Sequence, residues 1–392
     1  MAHHSSDSLI RISFPRAIWE HYFNLQGLSR PKRAAARLRR PSLLAFLRAE
    51  KPQNPSVRVA FVGDVMLGRL VSRVLHQRQP KSFWSDVGPL LQSCDAVVAN
   101  LECAITRHKG QWARTPKVFH FGADPAAIDV LKAGNIRAVS LANNHVLDFE
   151  VAGLMETLQL LDAARIAHAG AGIDEREARQ PALFAAGTLN CALFACVDHE
   201  HPFAAGPGRP GTAYIEFEAP DGSPFPNVAE ISDVRKKGAD LVILSSHLGP
   251  NMVLHPSRAI ANYRRAAADR GVDIVCGHSA HLFQGIERRG RSLILHDTGD
   301  FLDDYAIDPE LHNDWSFVFV VEADAIGARN LMLIPVLLEF ARVRLATREE
   351  AESMFERIMR LSSAFGTQLV RNQDRLSLEI DLRTAQTVSP RH

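Results

Sequence analysis

Five short apolar runs of this 392-residue chain end in side chains of one chemical kind. Residues 57–62 lead into Gly63-Asp64, 96–99 into Asn100-Leu101-Glu102, and 138–141 into Asn143-Asn144-His145 with Asp148 three residues on. Residues 241–245 lead into His247-Leu248-Gly249, and 273–276 into Gly277-His278-Ser279-Ala280-His281. Carboxylates, amide oxygens and imidazoles are donors that hold divalent cations. Each piece alone also has a plain structural reading: Gly63-Asp64 as a turn or helix N-cap, Asn143 and Asn144 as turn residues tolerant of left-handed dihedrals, His247 as a satisfied core histidine. His278 and His281 say more, because glycine ahead of a histidine pair lets the backbone bend around an ion. Five such ends in one chain favour a shared metal site over five unrelated turns.

Two cations about 3.5–4 Å apart need a bridging carboxylate to offset their repulsion, and neutral ligands that leave positions open for water and substrate. Asp64 or Glu102 suits the bridge. Such a pair lowers the pKa of a bound water toward ~7 and stabilises an in-line displacement at an anionic centre. His145, adjacent to Asn144 but offset from it, is suited to protonate a leaving oxygen, and Asp148 to fix its tautomer through the other ring nitrogen.

These residues must be brought together by the fold. Short β-branched runs alternate with longer helical segments from residue 56 onward, the pattern of an α/β domain. In such a sheet the carboxyl ends of the strands gather at one edge, where ligands bind. Further strands are expected at 191–197, 292–296 and 317–321, and helices at 125–133, 151–164, 256–270 and 348–361. The Pro/Gly-rich loop 199–233, with a strand expected at 213–218, is placed to cover a site. Three parts follow: a basic N-terminal arm at 1–55, a main domain at 56–345, and a C-terminal helix–strand appendage at 346–392 that ends in a polar tail.

Lys+Arg 45 against Asp+Glu 44, with 46% hydrophobic residues, excludes a disordered or fibrous chain. No stretch approaches the ~18 apolar residues of a membrane span, and the most apolar segment, 331–338, is broken by Pro335. Arg11, Arg16 and Glu20 interrupt any secretory-signal core, so a cytoplasmic location is expected. Five cysteines without a C-x-x-C pair suggest neither a disulfide framework nor a zinc ribbon, only small buried residues. The arm holds ten basic residues against three acids, about +7, which leaves about −6 for the remainder. Such an arm suits weak contact with an anionic membrane surface or simply a solvated helix; without interleaved aromatics no specific nucleic-acid binding is expected.

In order, Gly63-Asp64-Val65-Met66, Asn100-Leu101-Glu102, Ala142-Asn143-Asn144-His145 with Asp148, His247-x-Gly249, and Gly277-His278-x-x-His281 with Gln284 resemble the motifs of the CapA family. These are the poly-gamma-glutamate capsule synthesis proteins, related to the calcineurin-like metallophosphoesterases. The likeness runs from about residue 57 to 305. It implies a four-layer α-β-β-α sandwich of metallophosphoesterase type, with two mixed sheets face to face, helices outside and the site at one edge. It also implies Asp64, Glu102, Asn144, His247, His278 and His281 as ligands of two divalent metal ions (Mn, Fe, Zn or Mg), with His145 as the acid. Asn100 and Asp300 stand as further candidates for ligands or their supports. Lys117, in a Lys-x-Phe-x-Phe run similar to the family's, and Arg107 are candidate substrate contacts. Nearby Lys109, Arg114, His199 and His201 share that chemistry, which suits a phosphate ester or a polyglutamate carboxylate.

The chain also departs from these patterns. Met66 stands where phosphoesterases carry the histidine of an Asp-x-His, and one residue more separates His278 from His281. Leu248 replaces a Trp of the family pattern and Asn251 a Glu. A motif that typically reads Gly-Asn-Phe is here Gly299-Asp300-Phe301, followed by Asp303 and Asp304. Asp300 either supplies ligand charge or caps a turn. The expected function is a metal-dependent hydrolase of phosphoesterase type, acting on an anionic substrate through activated water. The alternative is a weakly catalytic or non-catalytic subunit of polyglutamate capsule synthesis that binds the polymer in the same cleft. Met66 favours that alternative; the lack of a hydrophobic anchor, for a machine that works at the membrane, counts against it.

Overall fold

The structure is a computed structural model that describes residues 56–217, 225–372 and 376–382. The basic arm at 1–55 and the polar tail from 383 lie outside the described residues. The strand β1 (Val57–Val65) shows how the layers arise. Val57, Val59 and Phe61 face one apolar cluster while Ala60 and Val62 face another, as the period of two along a strand dictates; a register irregularity beyond Phe61 turns Val65 to the second cluster as well. A strand buried on both faces belongs at the centre of a sheet that is covered on both sides.

In the first sheet β1 lies beside β2 (Ala96–Leu101), and β2 beside β3 (Ile136–Ser140), all parallel. On its other side β1 pairs antiparallel with Trp315–Asp324, which pairs in turn with Gly327–Glu339. In the second sheet β4 (Leu189–Val197), β5 (Leu241–His247) and β6 (Ile274–His278) run parallel, with β5 in the middle. Leu193, Ile243 and Ile274 of these strands share a cluster with Phe61 and Val98 of the first sheet, so the sheets pack face to face.

Helices cover the outer faces. Leu154, Leu158 and Leu161 of α1 (Glu150–Ala164) pack on the first sheet, and Ile260, Ala267 and Ala268 of α2 (Arg258–Asp269) on the second. The order is helices, sheet, sheet, helices.

The expected strands are present apart from the one at 213–218, and four of those that carry candidate site residues run further than expected, to Val65, Leu101, His247 and His278. Their polar ends stay in the ladder because parallel neighbours continue to bond them. The register sets Asp64 beside Asn100 and His247 beside His278. A short strand β7 (Asp300–Leu302) pairs with the end of β1 and sets Asp300 beside Asp64.

The C-terminal helix α3 (Arg348–Ser363) opens with a capping box between Thr347 and Glu350 and buries Met354, Phe355 and Ile358 between the sheets. Strand Ser377–Asp381 pairs with Gly327–Glu339, so this segment forms an edge of the first sheet. In the 199–233 loop, in place of a strand at 213–218, a two-residue strand Gly211–Thr212 pairs with Ala171–Gly172, and Tyr214 bridges Val197. The helix Val228–Lys236 closes the loop. All five cysteines are free and buried. Among the described residues no helix is long and apolar enough to cross a membrane.

Candidate metal centre and its histidine–carboxylate pair

One segment, from His296 to Asp300, joins the functional ends of the two sheets. A Cβ on Gly63 would lie 1.8 Å from the Gly299 carbonyl oxygen, and a Cβ on Gly277 1.8 Å from that of His296. Only glycine admits so close a crossing. The Asp64 amide donates to Gly299 O at 2.9 Å and the Thr298 amide to Gly277 O at 3.0 Å. Behind it, the buried Arg264 of α2 donates to Ser246 Oγ at 3.0 Å and to the His296 carbonyl.

Around this crossing the donors converge. Asp64 Oδ1 accepts from Asn100 Nδ2 at 2.9 Å and lies 2.9 Å from His278 Nδ1. His281 Nδ1 lies 2.8 Å from Asp300 Oδ1 and 3.5 Å from Asp64 Oδ2. Glu102 Oε1 is 4.0 Å from His247 Nε2, and Tyr305 donates its hydroxyl to Glu102 Oε2 at 3.4 Å. Ligand atoms of Asp64, Glu102, His281 and Asp300 all lie within 4.8 Å of one another.

The electrostatics reflect three carboxylates crowded out of water. Burial, with the charge of Asp64, pushes the Glu102 carboxyl well up, and burial pushes Asp300 to about 6. Burial also opposes ionisation of Asp64, but the hydrogen bond and charge of His278, with the charge of His281, hold its carboxyl below the usual range. For His281 burial acts downward, yet Asp300, Glu102 and Asp64 hold it well above the ordinary imidazole value. Burial, with neighbouring imidazoles, keeps His247 well below it, in the neutral form a ligand needs.

Asp64 Oδ2, Glu102 Oε1, Asn144 Oδ1 and Asp300 Oδ2 are buried and have no hydrogen-bond partner. An unpartnered buried polar group costs about 1–3 kcal/mol. A cation satisfies such oxygens and the repulsion between them together, so the donor set fits a divalent metal.

Beside the cluster, His145 Nδ1 lies 2.6 Å from Asp148 Oδ2, which also accepts from the Phe121 amide at 2.7 Å. The Phe121 ring stacks on His145 at 3.7 Å. Burial lowers the His145 pKa, and Asp148 opposes that shift. Asn143 is a brace: its Nδ2 donates to Asn100 Oδ1 at 3.1 Å and its Oδ1 accepts from the His145 amide at 3.0 Å.

The candidate substrate contacts are placed differently. Lys117, with its side chain 5% exposed, donates to the Asn144 carbonyl at 2.7 Å and to Glu200 Oε1 at 3.1 Å, and lies 3.4 Å from Asp148 Oδ1. It is bound up with protein groups. Arg107 is 72% exposed and lies 3.7 Å from Glu156. His199 stands with its ring 5.6 Å from that of His247. Met66 is fully buried, its Sδ accepting from the Gly68 amide at 3.1 Å. Tyr305 and Thr298, whose Oγ1 lies 3.2 Å from His278 Nδ1, belong to the site but carry no sequence signal of their own.

A family model described as "Bacterial capsule synthesis protein PGA_cap" matches residues 58–305. The PGA biosynthesis protein CapA of Bacillus subtilis (strain 168) is 29% identical over 272 residues, covering 67% of this chain and 69% of that protein. A Mycobacterium tuberculosis (strain ATCC 25618 / H37Rv) protein named "Probable polyglutamine synthesis accessory protein" is 27% identical over 368 residues, covering 82% and 96%. Among solved structures, the sulfate thiohydrolase SoxB of Thermus thermophilus covers 78% of this chain and 60% of its own at 11% identity and a TM-score of 0.39.

Proposed function

This chain belongs to the bacterial capsule synthesis protein PGA_cap family, and from that premise we propose that its buried centre holds two divalent metal ions and hydrolyses an anionic substrate of phosphoester type. The observation that carries this reading is the group of buried oxygens on Asp64, Glu102 and Asp300 that lie near His281 without hydrogen-bond partners. Asp64, Glu102, Asn144, His247, His278 and His281 would hold the ions, whether Mn, Fe, Zn or Mg. When bound, the ions supply Lewis acidity toward substrate oxygens and activation of the attacking water.

The chain's own groups do the rest. Asn100 orients the Asp64 carboxylate through its 2.9 Å hydrogen bond, and Asn143 ties Asn100 to the His145 backbone. His145 gives a proton from Nε2 to the leaving oxygen, because Nδ1 is held by Asp148. That transfer needs the imidazolium, which Asp148 stabilises and burial penalises. Lys117 fixes the turn between Asn144 and Asp148 instead of meeting substrate.

A second reading draws support from Met66, whose buried thioether offers the centre no imidazole. In it the chain binds polyglutamate at the same cleft as an accessory subunit, with little or no turnover. Elemental analysis, with a screen over phosphomonoesters, phosphodiesters and gamma-glutamyl peptides in added Mn2+, tests both. Hydrolysis that is lost in Asp64→Ala supports the first reading. A metal-free, inactive protein that still captures polymer after that substitution supports the second.

A further inference from the structure

We propose that Asp300 is itself a metal ligand and that the position it shares with Asp64, Glu102 and His281 is built for a hard, oxygen-preferring divalent cation such as Mn2+. This rests on the metal-centre reading above and adds to it one ligand and a metal class.

Asp300 does not cap a turn. Its two neighbours of the same type do: Asp297 Oδ1 accepts from the Gly299 amide at 2.9 Å, its Oδ2 from the Ala280 amide at 3.0 Å, and Asp303 Oδ1 from the Tyr305 amide at 2.9 Å. Asp300 instead faces inward. Oδ1 holds His281 Nδ1 at 2.8 Å, and Oδ2 has no hydrogen-bond partner although the residue is fully buried.

Its placement is set by the sheet. In the parallel pairing of β7 with β1, Asp300 is the register partner of Asp64, so two carboxylates emerge side by side at a strand spacing of about 4.8 Å. Glu102 adds a third within the same 4.8 Å group. Like charges this close, without water, meet His281 and, on Asp64, His278, which still leaves Asp64 Oδ2, Glu102 Oε1 and Asp300 Oδ2 without hydrogen-bond partners. His281 is kept in the cluster by a left-handed backbone, φ 55°, a conformation that costs a non-glycine residue about 1–3 kcal/mol. Three carboxylates and one imidazole form an oxygen-rich set. Oxygen donors of this kind suit Mn2+ or Mg2+, whereas imidazole-rich sets suit Zn2+ and Fe.

The experiment titrates metal-stripped full-length protein with MnCl2 and with ZnCl2 by calorimetry, and counts bound metal by elemental analysis. Asp300→Asn removes the charge but keeps an acceptor for His281. We expect wild type to bind two Mn2+ and Asp300→Asn to bind only one, with a smaller loss for Zn2+; a weakening of about 10–100-fold with both ions still bound, as for a carboxylate that merely orients His281, overturns the assignment. Asp303→Asn, a buried carboxylate outside the group, should keep both ions. The assignment is overturned if Asp300→Asn retains two Mn2+ at wild-type affinity, if Mn2+ and Zn2+ weaken by one factor, or if Asp303→Asn behaves the same way. Should Asp300→Asn fail to fold, Asp300→Glu is titrated instead: an unchanged Mn2+ to Zn2+ preference overturns the assignment, and a shift toward Zn2+ supports it. If wild type binds no divalent metal while Asp64→Asn changes nothing, the metal-centre reading itself fails.

Discussion

Lys117 Nζ donates to the main-chain carbonyl of Asn144 at 2.7 Å, a bond that joins the 107–121 loop to the turn carrying His145. The same ammonium reaches Glu200 and lies 3.4 Å from Asp148, both of which lose a cation if it is removed. Lys117→Met should therefore lower stability by about 2 kcal/mol, measured by urea denaturation. An unchanged midpoint would show that the loop is held by other contacts.

His247 and His278 face the cluster from the second sheet, each buried at a strand end. His247→Ala and His278→Ala should each lose metal while near-native circular dichroism is retained. Stoichiometric metal in both variants would sink their assignment as ligands.

The proton on His145 is lost as pH rises. Burial keeps its pKa below the ordinary 6.5 despite Asp148, so hydrolysis that needs the imidazolium should decline as pH climbs through a value under 6.5. Asp148→Asn removes the stabilising carboxylate, which moves that decline to lower pH and cuts the rate at neutrality by about 100-fold. The pH dependence of kcat/KM reads both effects; a profile unmoved by Asp148→Asn contradicts the acid role.

His296, in the segment that joins the sheets, stacks on Phe365 and meets Glu287 at 3.1 Å. Burial, reinforced by the charge of Arg264, outweighs Glu287 and lowers its pKa to about 4. Between 6.5 and about 4 the unfolded chain holds a proton that the folded chain does not. Stability from this group is thus complete above 6.5 and falls with pH through that window, by about 1.4 kcal/mol per unit. Denaturation at pH 7 and pH 5 should show a shallower loss in His296→Gln than in wild type.

Much of this site was legible in the sequence because its donors sit at strand ends, where an apolar run stops at a carboxylate, an amide or an imidazole. Residues 57–62 and 241–245 announce their strands by apolar, β-branched composition, and Gly277 ahead of the histidine pair reads as a bend, whereas the close crossings at Gly63 and Gly277 appear only in the structure. What stayed hidden depends on pairing between distant segments. Nothing local to Asp300 says that it will lie beside Asp64, and nothing local to Lys117 says that its charge will be spent on Asn144 and Glu200. Arg264 reads as one more polar residue of an amphipathic helix, yet it is buried beneath the His296 carbonyl. Tyr305 needs the third dimension for the same reason.

At Gly63 and Gly277 the two sheets meet through a single segment, residues 296–300. Asp64 and Glu102 hang from one sheet and His247 and His278 from the other, so an ion held by both halves acts as a rivet through the sandwich. Chelation would then cost more than chemistry: the melting temperature should drop when the metal is withdrawn, and recover with the logarithm of the free concentration restored.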